Sequence, residues 1–76
     1  MDLQEFINRF AKFFEGMDPD EIQPDTEYQE LDDWSSITAL SIMALAKTGF
    51  GKTVTGHDIR RSKTVEELYD MIVNKP

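Results

Sequence analysis

The sequence predicts a small all-α bundle, and three observations carry that prediction. Apolar residues recur at three- and four-residue spacing in three segments, which is the period of an amphipathic helix. No segment shows the alternating apolar and polar pattern of a half-buried strand. With 76 residues, 39% of them hydrophobic, the chain has room for a single domain, residues 1–76, with a modest core.

The first helix is predicted near the N-terminus, with a long loop after it. Its apolar stripe covers residues 3–14, and Gly16 is expected to stop it. The helical period then disappears over residues 17–35, where Pro19 and Pro24 stand among acidic residues. A connection of this length usually serves a function.

Two further helices and one short turn of helix are predicted in the second half of the chain. An unusually apolar helix begins at Ile37 and closes at the glycines on either side of Phe50. Residues 57–59 fit a single helical turn. Thr64 and Glu67 have the spacing of a capping box, so they predict the start of the last helix.

Charge is distributed unevenly along the chain, whose net charge is −7. Residues 1–33 hold eleven acids and two bases, whereas the remainder holds six bases and four acids. This balance argues against nucleic acid or an anionic membrane as a partner, because phosphate binding needs clustered Lys and Arg. The acidic half is either a solvated loop that keeps a small domain in solution or a docking edge for basic proteins.

Several features exclude other classes of protein. No apolar run is long enough to span a bilayer and no leader precedes the first helix, so a cytoplasmic location is expected. The segment AKTGFGKT, residues 46–53, fits a relaxed phosphate-loop pattern but lacks the preceding strand and following helix. His57 is expected at the surface without a catalytic partner. Neither an enzyme site nor a metal site is predicted.

The stretch LDDWSSITAL, residues 31–40, places two serines where the long loop becomes the apolar helix. Serine is among the best residues for capping a helix start, because its oxygen accepts a backbone N–H that has no partner within the helix. A hydroxyl at Ser36 is also expected to be exposed and close to the positive end of the helix dipole. No motif in the sequence supplies a base or metal site to activate this oxygen, so Ser36 would be a substrate for another enzyme rather than a catalyst.

The stretch DDWSSITALSIMALAKTGFG resembles the Asp-Ser-Leu motif and second helix of acyl carrier proteins, and the similarity extends over nearly the whole chain. The resemblance implies a four-helix bundle with a long first loop and a short third helix around residues 55–61. It implies that Ser36 is esterified with 4′-phosphopantetheine, whose thiol carries acyl groups as thioesters. The Trp ahead of the motif is similar to that of specialised carriers found beside the fatty-acid carriers of bacteria.

The chain departs from this family at two places. Ser35 stands where members have an Asp that helps to orient the modifying enzyme, and the second helix lacks the acids that usually bind basic enzymes. An apolar ridge remains on that helix. The predicted partner-binding residues are Asp32, Asp33, Ser35, Ile37, Leu40 and Ala44. The alternative is that the apolar members of this set face the core, and Trp34 is expected to pack on the bundle.

The resemblance also implies an interior that can part around an acyl chain. Four residues are predicted to line that pocket: Ile42, Ala46, Phe50 and Leu68. Ordinary core packing explains each of these positions equally well.

Two functions therefore remain open. The first is a carrier that is modified by a phosphopantetheinyl transferase, performs no catalysis and works as a monomer with acyl-activating enzymes, acyltransferases or synthases of fatty-acid, polyketide or secondary metabolism. The second is an unmodified helical adaptor that binds a basic protein through its acidic loop and second helix.

Overall fold

The computed structural model describes residues 1–76 and contains helices but no strands, which confirms the predicted all-α fold. The four α-helices are α1 (Leu3–Ala11), α2 (Ser36–Phe50), α3 (Gly56–Arg61) and α4 (Val65–Asn74). No helix has both the length and the apolar character needed to cross a bilayer.

The long connection between α1 and α2 contains two short 3-10 turns, Pro19–Glu21 and Tyr28–Glu30. The first turn has a complete capping box, in which Asp18 accepts from the backbone and Glu21 accepts from the Asp18 N–H. The connection is therefore locally ordered although it lacks a helical period in its sequence.

Helix α1 begins at its cap Asp2 and ends at Ala11, so the expected continuation to Gly16 is wrong. After Ala11 the backbone tightens, since the N–H of Phe13 bonds to the carbonyl of Phe10 at 3.0 Å. This tighter turn still places the ring of Phe14 in the core, 5.4 Å from the ring of Phe10. The apolar spacing was read correctly as a buried stripe, but its last turn is not α-helical.

The end of α2 is set by Gly51, which has the left-handed φ of 66°. The N–H of Gly51 donates to the Lys47 carbonyl oxygen at 3.2 Å, and the N–H of Lys52 donates to the Ala46 carbonyl oxygen at 3.0 Å. The bond from Gly51 to Lys47 is that of a left-handed (αL) cap, which favours glycine. Gly49 lies inside the helix and does not close it, contrary to the prediction.

Helices α3 and α4 both start from a threonine. Thr55 and Asp58 form a complete capping box on α3, which was not predicted. On α4 the predicted box is only half formed: Thr64 Oγ1 accepts from the Glu67 N–H at 3.1 Å, but the Glu67 carboxylate accepts from the N–H of Lys63.

Aromatic rings connect the core to the long loop. Phe6 and Phe10 are fully buried at the centre, and their ring centroids are 6.0 Å apart. From Phe10 the contacts continue to Tyr28 at 5.9 Å and from Tyr28 to Trp34 at 5.1 Å. The loop is thus packed on the core up to the residues that precede α2.

Candidate functional site at the start of α2

The loop ahead of α2 is fixed to α3 through Tyr28. The buried Tyr28 hydroxyl lies 2.5 Å from the carbonyl oxygen of Ile59 and 2.6 Å from that of Ser62. Burial raises the pKa of Tyr28 to about 12, since the interior disfavours a phenolate. The side-chain amide of Gln29 donates to the same two carbonyls at 3.2 and 3.0 Å. These contacts give the carbonyl groups at the end of α3 side-chain partners from the loop.

Trp34 covers the junction between this loop and α2. It is half-buried, packs against the core as expected, and meets the ring of Tyr28 edge-on at 63°. The backbone N–H of Trp34 donates to the carbonyl of Leu31 at 3.0 Å, so the chain turns just before the helix. The position of the two serines is therefore defined by a packed indole on their N-terminal side.

The two serines have different roles in the structure. Ser35 is the N-cap: its Oγ accepts from the Thr38 N–H at 3.4 Å and lies 3.3 Å from Thr38 Oγ1. Ser36 is the first residue of α2, is exposed, and has no hydrogen-bond partner for its hydroxyl within the chain. One serine is used by the helix and the other is available to an approaching molecule.

The electrostatic setting of Ser36 comes from the helix and the preceding turn. The first turn of α2 contains no acidic residue, so its partial positive charge is not neutralised from within the helix. Asp32 and Asp33 lie exposed in the turn just before it. A negatively charged group on Ser36 would gain from the helix terminus, while the two carboxylates face solvent.

The predicted partner ridge is exposed along α2. The exposed fractions are 74% for Ile37 and 62% for Leu40, and Ala44 is exposed one turn further on. The alternative that these side chains face the core is therefore wrong. Large exposed aliphatic side chains in line on one helix form a small apolar surface beside Ser36.

The predicted acyl-chain residues lie in the packed interior. Ile42, Ala46 and Leu68 are fully buried, whereas Phe50 is half-buried against the rings of Phe6 and Tyr69. These residues do not enclose a cavity in this conformation, because the single concave site lies elsewhere and is lined by polar residues. An acyl-chain pocket here stays a prediction that requires the helices to separate.

A comparison with protein-family models matches residues 4–72 to the family described as "Phosphopantetheine attachment site". The chain belongs to this family. Its members hold 4′-phosphopantetheine covalently on a serine, so this chain is a phosphopantetheine carrier protein, and the resemblance to acyl carrier proteins is confirmed. Such carrier domains are not catalysts themselves, and they interact with modifying and synthase enzymes. Comparisons with curated proteins and with solved structures gave no match.

The carrier's attachment region fits the group that the family implies. An arm joined through a phosphodiester needs an accessible serine oxygen and tolerates nearby positive charge. Ser36 provides both, since it is exposed and starts a helix. Ser35 meets the requirement less well because its oxygen already accepts the cap hydrogen bond.

The residues that support this site in the carrier were not predicted from the sequence. Tyr28 and Gln29 lie in a segment predicted to be an irregular loop. Both side chains nevertheless bond to the carbonyl of Ile59, which is 31 residues from Tyr28 and 30 residues from Gln29. A signal was present, because an aromatic residue in an otherwise acidic loop is expected to be buried. Nothing in the sequence identified its hydrogen-bond partners.

Proposed function

We propose that the chain holds acyl intermediates as thioesters on a 4′-phosphopantetheine arm attached to Ser36 and presents them to separate enzymes. One observation carries the choice of serine. Ser35 Oγ accepts from the Thr38 N–H, whereas Ser36 directs an exposed and unbonded hydroxyl from the first position of the same helix.

Electrostatics favours the product of this modification. A phosphodiester on Ser36 adds negative charge at the positive end of α2, an arrangement worth about 0.3–1 kcal/mol when the helix end is exposed. When bound, the arm also supplies a thiol, which this chain otherwise lacks because it contains no cysteine. The chain's own residues hold the serine in place and leave it accessible.

The transferase and the later enzymes would dock beside the arm. Ile37, Leu40 and Ala44 offer an apolar ridge on α2, and Asp32 and Asp33 offer charge next to it. Basic enzyme surfaces with an apolar centre would complement this combination. Ser35 contributes a hydroxyl rather than a carboxylate, so the electrostatic part of docking depends on the two aspartates.

The cargo would be an acyl unit of fatty-acid, polyketide or secondary metabolism, handled in the cytoplasm by a monomeric carrier. A chain that enters the interior would have to part α2 from its neighbours near Ile42, Ala46, Phe50 and Leu68. Aliphatic burial favours such entry, at roughly 0.8 kcal/mol for each methylene removed from water.

The test is modification of the purified chain by coenzyme A and a broad-specificity phosphopantetheinyl transferase, followed by mass spectrometry of the intact protein. We expect a gain of one phosphopantetheine group. Ser36→Ala should abolish the gain and Ser35→Ala should retain it. A gain that survives Ser36→Ala would contradict the assignment of the serine.

Failure of every variant to gain mass would instead favour the unmodified adaptor that binds a basic protein. Circular dichroism of each variant provides the control for folding. Because Ser36 is exposed, its substitution is not expected to unfold α2.

A further inference from the structure

The molecule has a polar groove on the face where the second 3-10 turn meets the end of α3. Its volume is about 290 Å³. No hydrophobic residue lines it, and its walls are formed by Glu27, Gln29, Glu30, Arg60, Arg61 and Lys63. This groove lies outside the apolar ridge of α2 and shares no residue with it.

The charged groups in the groove have no partners within the chain. The two ion pairs of the structure are Arg9 with Glu5 and Lys75 with Asp58. Three cations therefore stand within four residues of sequence without a carboxylate in ion-pair contact, although two glutamates also line the groove. A chain with a net charge of −7 does not need these cations to stay in solution, so solubility does not explain the cluster.

The groove is fixed in shape by the same contacts that position Ser36. The Gln29 amide lies 3.3 Å from the carbonyl oxygen of Arg60, and the Tyr28 hydroxyl lies 2.6 Å from that of Ser62. Tyr28 also packs against Trp34, two residues before Ser36. The basic wall is thus attached through one ring to the site of the proposed arm.

We propose that this groove is a second docking surface, which binds an acidic segment of a partner protein through Arg60, Arg61 and Lys63. Charge complementarity supports this occupant. The acidic edge around Asp32 and Asp33 and the basic wall have opposite signs, and two patches of opposite sign define one orientation of the partner. A uniformly acidic surface would allow several orientations.

The groove does not depend on modification of Ser36, so the experiment uses the unmodified chain. Hexaglutamate peptide is titrated into isotope-labelled protein at low ionic strength, and amide chemical shifts are followed by NMR. We expect saturable shifts confined to residues 27–30 and 60–63. Arg60→Gln with Arg61→Gln should weaken binding by about 5- to 10-fold, as expected for two exposed charge contacts.

Two matched variants separate local binding from overall charge. Lys12→Gln with Lys47→Gln removes the same number of cations outside the groove and should leave the affinity within about two-fold. Glu27→Gln with Glu30→Gln removes the opposing carboxylates and should strengthen binding by about two- to five-fold. Equal weakening of peptide binding by both cation-removing pairs would overturn the proposal. So would the same amide chemical-shift changes on addition of potassium chloride alone, at the ionic strength of the peptide titration.

Lys63→Gln provides a further check because the exposed Lys63 side chain makes no hydrogen bond and lies after the end of α3, so the substitution should leave that helix intact. It should reduce the affinity by about two- to three-fold with an unchanged spectrum outside the groove. Unchanged affinity would contradict the role of the basic wall. Concentration-dependent shifts of the same amides without peptide would show that a second copy occupies the groove, and would likewise overturn the proposal.

Discussion

The hydroxyl of Tyr28 lies 2.6 Å from the carbonyl oxygen of Ser62, across 34 residues of sequence. This contact joins the loop that leads into α2 to the end of α3. The same ring packs on Trp34, so one side chain connects α3 with the approach to Ser36. The position of the candidate attachment serine therefore depends on a tyrosine in the preceding loop that is bonded to the end of α3, 34 residues further along the chain.

Tyr28→Phe should destabilise the fold, because it removes the donor while leaving buried carbonyls in place. We expect a loss of about 1–2 kcal/mol in the free energy of unfolding, measured by urea denaturation. Hydrogen exchange should increase most at the end of α3. Tyr69→Phe is the matched control, since its hydroxyl bonds to the terminal carbonyl of Met1 at 2.9 Å and is only partly buried. An equal or larger loss in that control would contradict the importance of the Tyr28 contact.

The pKa of Tyr28 gives this contact a pH dependence. The folded state holds the phenolic proton with a pKa of about 12, above the ordinary value of 10.0. The contribution of the protonated Tyr28 to folding stability is therefore fully present below pH 10. It is lost as the pH rises toward 12, because the unfolded chain releases the phenolic proton at a lower pH than the folded chain. Alkaline unfolding followed by fluorescence of Trp34 should show this decline. Tyr28→Phe should show a smaller decline over the same range, and an identical curve would contradict the assignment.

The fold was predictable from the sequence because its helices have strong apolar periods and recognisable ends. The start of α2, its left-handed glycine at 51 and the threonine caps all follow from local chemistry. The end of α1 was not predictable in the same way. Its stripe continues into a 3-10 turn that keeps Phe14 buried, and spacing alone does not distinguish the two kinds of turn.

The candidate site was predictable in part. The exposure of Ser36 follows from its place at the helix start, whereas the sequence left open whether Leu40 faces solvent or the core, and the structure shows it exposed. The groove beside Arg60 was not predictable, because its walls come from segments about 30 residues apart and meet only through tertiary packing. Local patterns carry no information about such a meeting.

Ser35 and Ser36 should differ in their effect on stability. Ser35→Ala removes the cap of α2 and should cost about 0.5–1 kcal/mol, since the cap bond is long at 3.4 Å. Ser36→Ala should change stability by less than about 0.5 kcal/mol because the hydroxyl has no partner. Ser35→Asp should retain the cap and place a negative charge at the helix start, so stability should be equal or higher. Thermal unfolding of the three variants checks this order, and a greater loss for Ser36→Ala would contradict it.

Gly49 and Gly51 should respond in opposite directions to alanine. Gly51→Ala forces a side chain into a left-handed conformation, with φ of 66°, and should cost about 1–2 kcal/mol. Gly49→Ala should stabilise α2 by up to about 1 kcal/mol through helix propensity. Its new Cβ would lie 2.6 Å from the Met1 methyl carbon, which is the mobile end of a flexible side chain and has to shift. Urea denaturation of both variants measures the difference, and destabilisation by Gly49→Ala would show that Met1 does not yield.

Asp58 should make stability depend on acid pH. The hydrogen bond from Lys75, at 2.6 Å, and those from the start of α3 lower the pKa of this carboxyl from 3.8 to about 2. A lowered pKa contributes stability above the unfolded value, and this contribution is lost as the pH falls from about 4 through 2. The melting temperature of Asp58→Asn should vary less over this interval. Asp25→Asn, which removes an exposed carboxylate without a hydrogen bond, is the control, and an equal change in both would contradict the assignment.

Salt should stabilise this carrier. Eleven acids and only two bases lie within residues 1–33, so the folded state holds many like charges close together. At an ionic strength of 0.15 M the screening length falls to about 8 Å, which weakens repulsion between exposed carboxylates. We expect the melting temperature to rise with potassium chloride and more steeply with divalent cations. The double variant Asp32→Asn and Asp33→Asn should begin with a higher melting temperature and gain less from salt, because part of the repulsion is already removed. A melting temperature that does not change with ionic strength would show that the carboxylates of residues 1–33 are too far apart for their repulsion to destabilise the fold.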